Sequence, residues 1–389
     1  MPPRAPNPLP LPAPPPGTVG LELSRWVIRA CTADLGFALA GVCQARPAEH
    51  QAHLHAWLAQ GKHGQMHYLA EHLEARLDPA RELPGTRSII MVADAYAQRG
   101  QEPTQPTTTP SARIARYAQG RDYHDTLKRR LHTLADALRA ALPTHHFRTF
   151  TDTAPVMERQ HAQRAALGWT GKHTLLIHPR IGSYFLLGGI LTTVDLPEPP
   201  DQSPTPDACG TCTRCIDACP TSAITPHTVD ARKCISYLTI EHQTTIDPAL
   251  HPAMGDWLFG CDICQEVCPH NSPRPEQPPT PIHLAYAPRT ASLPILDLLN
   301  WTNADRAKTL GNSAIKRATL DMLKRNALIA AGNTLTLPRD QAIFDRIKQI
   351  ASDASEPAML QQTARQVLSR IADVSRTEPL PRGEGQGWG

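Results

Sequence analysis

The sequence predicts an α+β protein built in three parts. Residues 21–200 alternate helical and strand patterns. Eight of the ten cysteines fall between 209 and 268, and residues 281–375 keep helical periodicity alone. The two ends, 1–20 and 376–389, are rich in Pro, Gly and charge and read as disordered tails.

At 389 residues with 41% hydrophobic content, the chain is long enough for two or three cores. A net charge of +3 excludes a global polycation, though a basic face is open to it. The opening MPPRAPNPLPLPAPPPG has no apolar stretch of the signal-peptide kind. No apolar run reaches membrane-spanning length; the longest lies near 184–191. A cytoplasmic protein with no membrane partner is expected.

In the first part, Trp26, Val27, Ala30, Cys31 and Leu35 recur at helical spacing, and Cys43 follows in a strand. Both cysteines read as small buried residues. A second helix covers 47–60. His63 and His67 stand four apart, which is half a metal site or, more commonly, two surface histidines. Residues 88–93 form a buried strand, and 98–110 a polar loop. Leu127, Leu131, Leu134 and Leu138 stripe a long helix over 122–142. A strand over 146–151 delivers Asp152 at its C-terminal end, before a helix over 155–167. Residues 174–178 and 183–193 read as a hairpin around Pro179-Arg-Ile-Gly182.

Asp152 is the sharpest single acid. A strand end is a ligand-binding position in α/β domains, and an acid desolvated there has a raised pKa and can donate a proton. The other reading is an ordinary helix N-cap. Glu158 and Arg159 read as a solvated pair, and Lys172 as a loop residue between glycines.

The cysteines carry the strongest signal. Cys209-x2-Cys212-x2-Cys215-x3-Cys219-Pro220 has the bacterial ferredoxin spacing, in which thiolates hold a 4Fe–4S cluster and the fourth Cys serves a second one. Cys234 and Cys261-x2-Cys264-x3-Cys268-Pro269 complete the set. By that rule Cys209, Cys212, Cys215 and Cys268 hold one cluster, and Cys219, Cys234, Cys261 and Cys264 the other. A zinc site has no use for such a run, and disulfides need an exported chain.

Nucleotide motifs are absent, and so is Asp-x-His-x-x-Gly, the motif that places a His beneath cobalamin; Asp122-Tyr-His124 matches only its start. In the helical end, one helix is expected over 313–331. Its Lys316, Arg317, Lys324 and Arg325 form a basic cluster, which reads either as ordinary helix-face charge, with Asp321 pairing Arg317 or Arg325 at i, i+4, or as a phosphate-binding face.

The series Gly120-Arg-Asp-Tyr-His124, Thr151-Asp-Thr-Ala-Pro155, Gly168-Trp-Thr-Gly-Lys172, Gly182-Ser-Tyr184, Arg232-Lys-Cys-Ile-Ser-Tyr-Leu238 and the cysteine runs resembles the epoxyqueuosine reductase family. The resemblance covers about 21–373. It implies a cobalamin-binding catalytic first domain, a ferredoxin-like double-cluster domain and a HEAT-like helical end that binds tRNA. It implies base-off cobalamin, consistent with the missing motif, with Asp152 as proton donor. Arg76, Asp152, Gly171, Leu176, Leu187, Ser236 and Asp262 match cobalamin-lining positions. His242, Lys316, Arg317, Lys324 and Arg325 would face tRNA. The implied reaction is reduction of epoxyqueuosine to queuosine in tRNAs with a GUN-type anticodon, by a monomer fed by an external donor of flavodoxin or ferredoxin type. The alternatives are a dehalogenase-like corrinoid reductase of a small molecule, which needs no basic helical end, and a non-catalytic electron carrier, which needs no Asp152.

Overall fold

A computed structural model describes residues 10–101, 109–335 and 340–377. Most of both expected tails, 1–9 and 378–389, lies outside the described residues. The rest of the N-terminal tail is packed rather than loose: Leu11 rests on the core and Pro14 is buried.

In chain order the first strands are β1 (Leu39–Gln44), β2 (Ser88–Ala95), β3 (Ser111–Ile114) and β4 (Phe147–Phe150). They are followed by β5 (Trp169–Thr170), β6 (Leu176–Ile177) and β7 (Phe185–Thr192). The main sheet runs β1-β2-β7-β4, and every pairing in it is antiparallel. This corrects the α/β reading of 21–200. The ligand rule for parallel strand ends therefore lends Asp152 no support. All eight residues of β2 are buried, so its centre, Ile89 to Ala93, is apolar on both faces rather than alternating.

Helix Tyr123–Ala141 lays Leu127, Leu131, Leu134 and Leu138 on the sheet, all four at most 1% exposed. Cys31 and Cys43 are fully buried. The expected hairpin around 179–182 does not form. Only one bridge, His178 to Gly182, joins its arms. β6 pairs with β5, and β7 goes to the centre of the main sheet. Gly182 has φ +73, and a Cβ there would lie 2.1 Å from Asn271 Oδ1. The turn thereby docks on the segment after Cys268, with Ser183 N–H donating to Asn271 at 2.8 Å.

β8 (Ile224–Thr225) and β9 (Thr228–Val229) form a small ribbon beside the cysteines. β10 (Trp257–Phe259) joins β3 in parallel, and β11 (Ser292–Pro294) flanks β3 on the other side. This small sheet takes one strand from each of the three expected parts. One apolar core runs from Leu23 through Leu258 to Val367, so packing does not separate the parts.

The helical end holds Ile295–Asn300, Asn303–Leu310, Leu320–Thr334, Gln341–Ser352 and Ala358–Thr377. The single helix expected over 313–331 is broken. A short turn, Ala314–Arg317, precedes a fresh start in which Thr319 caps Leu320–Thr334 through Met322 N–H. Lys316 and Arg317 are thus on a different element from Lys324 and Arg325.

Arg325 is not a phosphate-binding residue. It is fully buried, donating to His242 O at 2.5 Å, Thr244 O at 2.7 Å and Leu238 O at 2.7 Å. Lys324 is 9% exposed. Sequence shows charge but not which helix face is covered, and Arg can satisfy several buried carbonyls at once. Arg325→Ala should strand those carbonyls and cost roughly 3 kcal/mol or more. A thermal melt should fall by several degrees, and an unchanged melting temperature would refute the structural role.

Candidate active site

Asp152 follows β4 and Thr151, whose hydroxyl donates to Leu187 O at 3.0 Å. It adopts φ +55, a left-handed conformation that Asp tolerates better than most residues. It is not an N-cap. Helix Glu158–Arg164 starts later than expected, and its N-cap position is Met157. The Asp152 side chain reaches back to His124 instead, Oδ2 to Nε2 at 3.2 Å.

That contact closes a chain of charges. His124 Nδ1 lies 2.7 Å from Asp122 Oδ1, and Lys316 Nζ lies 2.6 Å from Asp122 Oδ2. An imidazole can donate to two carboxylates only when protonated. Burial works against that charge, but the bonds to Asp122 and Asp152 raise the His124 pKa to about 9. Burial likewise opposes the Asp122 carboxylate, yet His124 and Lys316 hold it well below the usual range.

Asp152 is 61% exposed, in a cleft crowded by protein. That crowding pushes its carboxyl up, but the His124 ring and the Tyr123 hydroxyl outweigh it and hold the pKa below the usual range. The expectation of a raised Asp152 is therefore corrected. The free site keeps the shared proton on His124. The raised carboxyl is Glu158, pushed by burial, and then by the Asp152 charge, to about 8. Its Oε1 accepts the Asp152 N–H at 2.5 Å. Glu158 is thus turned to the Asp152 backbone rather than to Arg159, which stays exposed and donates to Thr174 O. Tyr123 stacks on His124 with ring centroids 4.0 Å apart.

Arg76, Tyr68 and Arg317 complete the cleft. Arg76 lies in the field of Tyr68, Glu158 and Asp152, and its buried Nε has no partner. Tyr68 is 38% exposed, with the Arg317 guanidinium 5.9 Å from its ring centre. Arg317 also pairs with Glu241 at 2.9 Å, in place of the expected Asp321.

Of the other corrin-lining expectations, Leu187 and Ser236 are half-buried. Leu176 is 3% exposed. Gly171 packs on the chain itself, where a Cβ would meet Ile177 at 2.5 Å. Asp262 is 2% exposed and accepts the Arg116 N–H at 2.8 Å. Burial pushes its carboxyl up to about 7, against the pull of the Arg116 N–H and guanidinium. His242 turns its Nε2 to Thr245 O at 3.0 Å.

Cys209, Cys212, Cys215 and Cys268 line one cavity together with Lys172, His173 and His270. Lys172 clamps the loop, donating to Gly210 O at 2.7 Å and Cys212 O at 2.9 Å. Cys219, Cys234, Cys261 and Cys264 form a second group whose charges act on one another. Burial pushes the Cys234 and Cys261 thiols up, and nearby backbone N–H groups work against that rise; the Ala223 N–H donates to Cys219 Sγ at 3.3 Å. Such donors favour thiolates, the form that binds metal. Among the described residues no three Cys, His, Asp or Glu converge as they would on a single ion.

The second group lies toward Asp152: Tyr117 packs in the cluster that holds Cys234 and Cys261, its ring meets Tyr123 at 6.2 Å, and Tyr123 stacks on His124. Sequence reasoning missed His124 and Lys172. The signal for His124 was Asp122-x-His124, read there as the failed start of another motif.

Comparison with known proteins now bears on these sites. Residues 208–271 match the family model described as a 4Fe-4S double cluster binding domain. Residues 76–153 match the one described as Epoxyqueuosine reductase QueG, DUF1730. The epoxyqueuosine reductase of Vibrio cholerae is 39% identical over 82% of this chain and 84% of its own length. The chain belongs to the epoxyqueuosine reductase family. It is thereby an oxidoreductase with an iron–sulfur double-cluster domain.

The structure of the Bacillus subtilis family member, with its catalytic aspartate loop swung out of the active site, superposes with TM-score 0.78. It is 26% identical and covers 90% of both chains. A family member crystallised with an epoxyqueuosine-modified tRNA-Tyr stem loop superposes with TM-score 0.78 at 25% identity. The match covers 92% of this chain and 95% of that one. Among the described residues no helix is long and apolar enough to cross a membrane.

Proposed function

We propose that this chain reduces epoxyqueuosine to queuosine in tRNA, with Asp152 and His124 as its proton-handling pair. The observation that carries the reading is the charge chain Lys316–Asp122–His124–Asp152 at the cleft that also holds Arg76 and Tyr68. Cys209, Cys212, Cys215 and Cys268 would hold one 4Fe–4S cluster, and Cys219, Cys234, Cys261 and Cys264 the other. The orphaned Nε of Arg76 suits an amide-rimmed ring such as cobalamin, and Leu187 and Ser236 offer further half-open wall. When bound, the clusters and a base-off cobalamin supply the electrons and the strongly reducing metal.

The chain's own residues handle the proton. In the open cleft, His124 Nε2 carries it and Asp152 is ionised. Covering Asp152 removes water, which raises a carboxyl pKa and lowers an imidazolium's. Both changes move the proton from His124 Nε2 to Asp152 Oδ2. Asp152 then stands as the acid for the opening epoxide oxygen. That same oxygen, opened to a hydroxyl, takes a second proton and leaves as water, so two electrons and two protons account for the one oxygen lost. Glu158, holding the Asp152 N–H, keeps the loop turned inward.

The tRNA enters over Tyr68, with Lys316 and Arg317 at the rim; both are more than half exposed. The base must be splayed from its loop to reach Asp152. The C-terminal helices fill a HEAT-like role as support for this rim.

The pair makes turnover fall as pH rises. The His124 pKa is raised to about 9. The charge that ties it to Asp122 and Asp152 is complete below the ordinary histidine value of about 6.5 and is lost as pH passes about 9. The pH profile of kcat/KM should therefore show an alkaline limb near 9. In His124→Gln that limb should vanish and turnover drop about 10–100-fold. An unshifted limb would assign it to another group. Epoxyqueuosine-bearing stem loop, tested with fully loaded protein and a chemical reductant, decides the activity itself.

A further inference from the structure

The two cysteine groups differ in their surroundings. Around the second, Gly260, Asp262, Ile235 and Leu238 are buried. Around the first, Ala208, Gly210, Thr211, Thr213 and Arg214 are exposed. The first group is the outer one, where an electron arriving from outside meets the chain.

Beside it the backbone gathers arginines. Arg99 donates to Pro179 O at 3.1 Å, Arg180 O at 3.0 Å and Ser272 O at 3.2 Å. Arg274 reaches the same Pro179 O at 3.4 Å, and Arg180 itself is exposed. Arg99 and Arg274 are near enough to repel one another, and Cys268 is near enough to Arg99 to act on it. Glu276 is the acid within reach of Arg99. The Arg99 and Arg274 guanidiniums thus share Pro179 O beside the segment that follows Cys268, and exposed Arg180 belongs to the same turn. Nothing in the proton chemistry at Asp152 uses them.

We infer that Arg99, Arg180 and Arg274 form the docking rim for an acidic one-electron carrier protein that reduces the outer cluster. The inference rests on the double-cluster reading of the cysteines but not on the substrate. Redox partners make small, transient interfaces, so charge complementarity sets their encounter rate rather than buried area. A carrier whose acidic face surrounds its own redox centre would be steered to this edge. One electron leaves the carrier and one enters the outer cluster; no bond is made or broken.

The test uses full-length, cluster-loaded protein, with a reduced acidic flavodoxin as probe. Cluster bleaching is followed by stopped-flow absorbance at low and high salt. Wild type should be reduced quickly at low salt and more slowly as salt rises. Arg180→Glu/Arg274→Glu should lower the low-salt rate at least 10-fold and flatten the salt dependence, while Lys308→Glu should change neither. Reduction by titanium(III) citrate should be the same in all three proteins.

An equal loss with the chemical reductant would mean a damaged cluster and would overturn the inference. So would a wild-type rate indifferent to salt, or an unchanged flavodoxin rate accompanied by weakened binding of a tRNA stem loop, which would make the rim an RNA surface. Bleaching is read without substrate. A protein that bleaches as stated yet leaves epoxyqueuosine untouched keeps the docking rim and loses the proposed reaction.

Discussion

Asp152→Asn should abolish turnover, lowering kcat by about 100- to 10,000-fold, while the chain stays folded and keeps its iron. Asn preserves the size of the side chain and can still meet His124, but it cannot carry the proton to the substrate. The His124 pKa should fall in the same variant, since one of its two carboxylates is gone. Anaerobic single-turnover assays measure the first effect and NMR of the imidazole the second. Near-normal turnover in Asp152→Asn would reduce the residue to a loop anchor.

The second large effect is expected at Cys234. This residue packs in one cluster with Cys261 and Ile235, and the Cys219 and Cys261 charges couple to its own. Cys234→Ala should cut bound iron from about eight to about four atoms per chain, the content of a single 4Fe–4S cluster. Turnover should disappear, because this group lies toward Asp152 and the electron path would be broken at its inner end. Iron analysis with electron paramagnetic resonance reads the outcome. Retention of about eight iron atoms would remove Cys234 from the ligand set.

The cysteine groups were legible in the sequence because cluster ligation is mostly local. Spacings of two and three residues already bend a loop around one object, and the cavity lined by Cys209, Cys212, Cys215 and Cys268 follows that spacing. Helix Tyr123–Ala141 was legible for the same kind of reason, since its Leu stripe is a local pattern. Long-range pairing was not. The arms flanking Pro179 read as a hairpin, yet β7 is drawn to the sheet centre by its apolar length, and β6 takes β5.

The site shows the same division. Asp152 could be found at the end of β4, but its pKa depends on burial, on His124, twenty-eight positions earlier, and on Arg317 from the helical end. Arg325 looked like a phosphate ligand because charge is visible in a sequence and burial is not. Lys172 looked like a solvated loop lysine because the carbonyls it clamps belong to Gly210 and Cys212.

The central claim is the reaction. Protein loaded anaerobically with both clusters and cobalamin, reduced chemically and given an epoxyqueuosine-bearing tRNA-Tyr stem loop, is followed by nucleoside mass spectrometry. The account predicts that epoxyqueuosine disappears and that a nucleoside lighter by one oxygen atom, queuosine, takes its place in wild type and not in Asp152→Asn. Unchanged epoxyqueuosine in fully loaded, fully reduced wild type would contradict it.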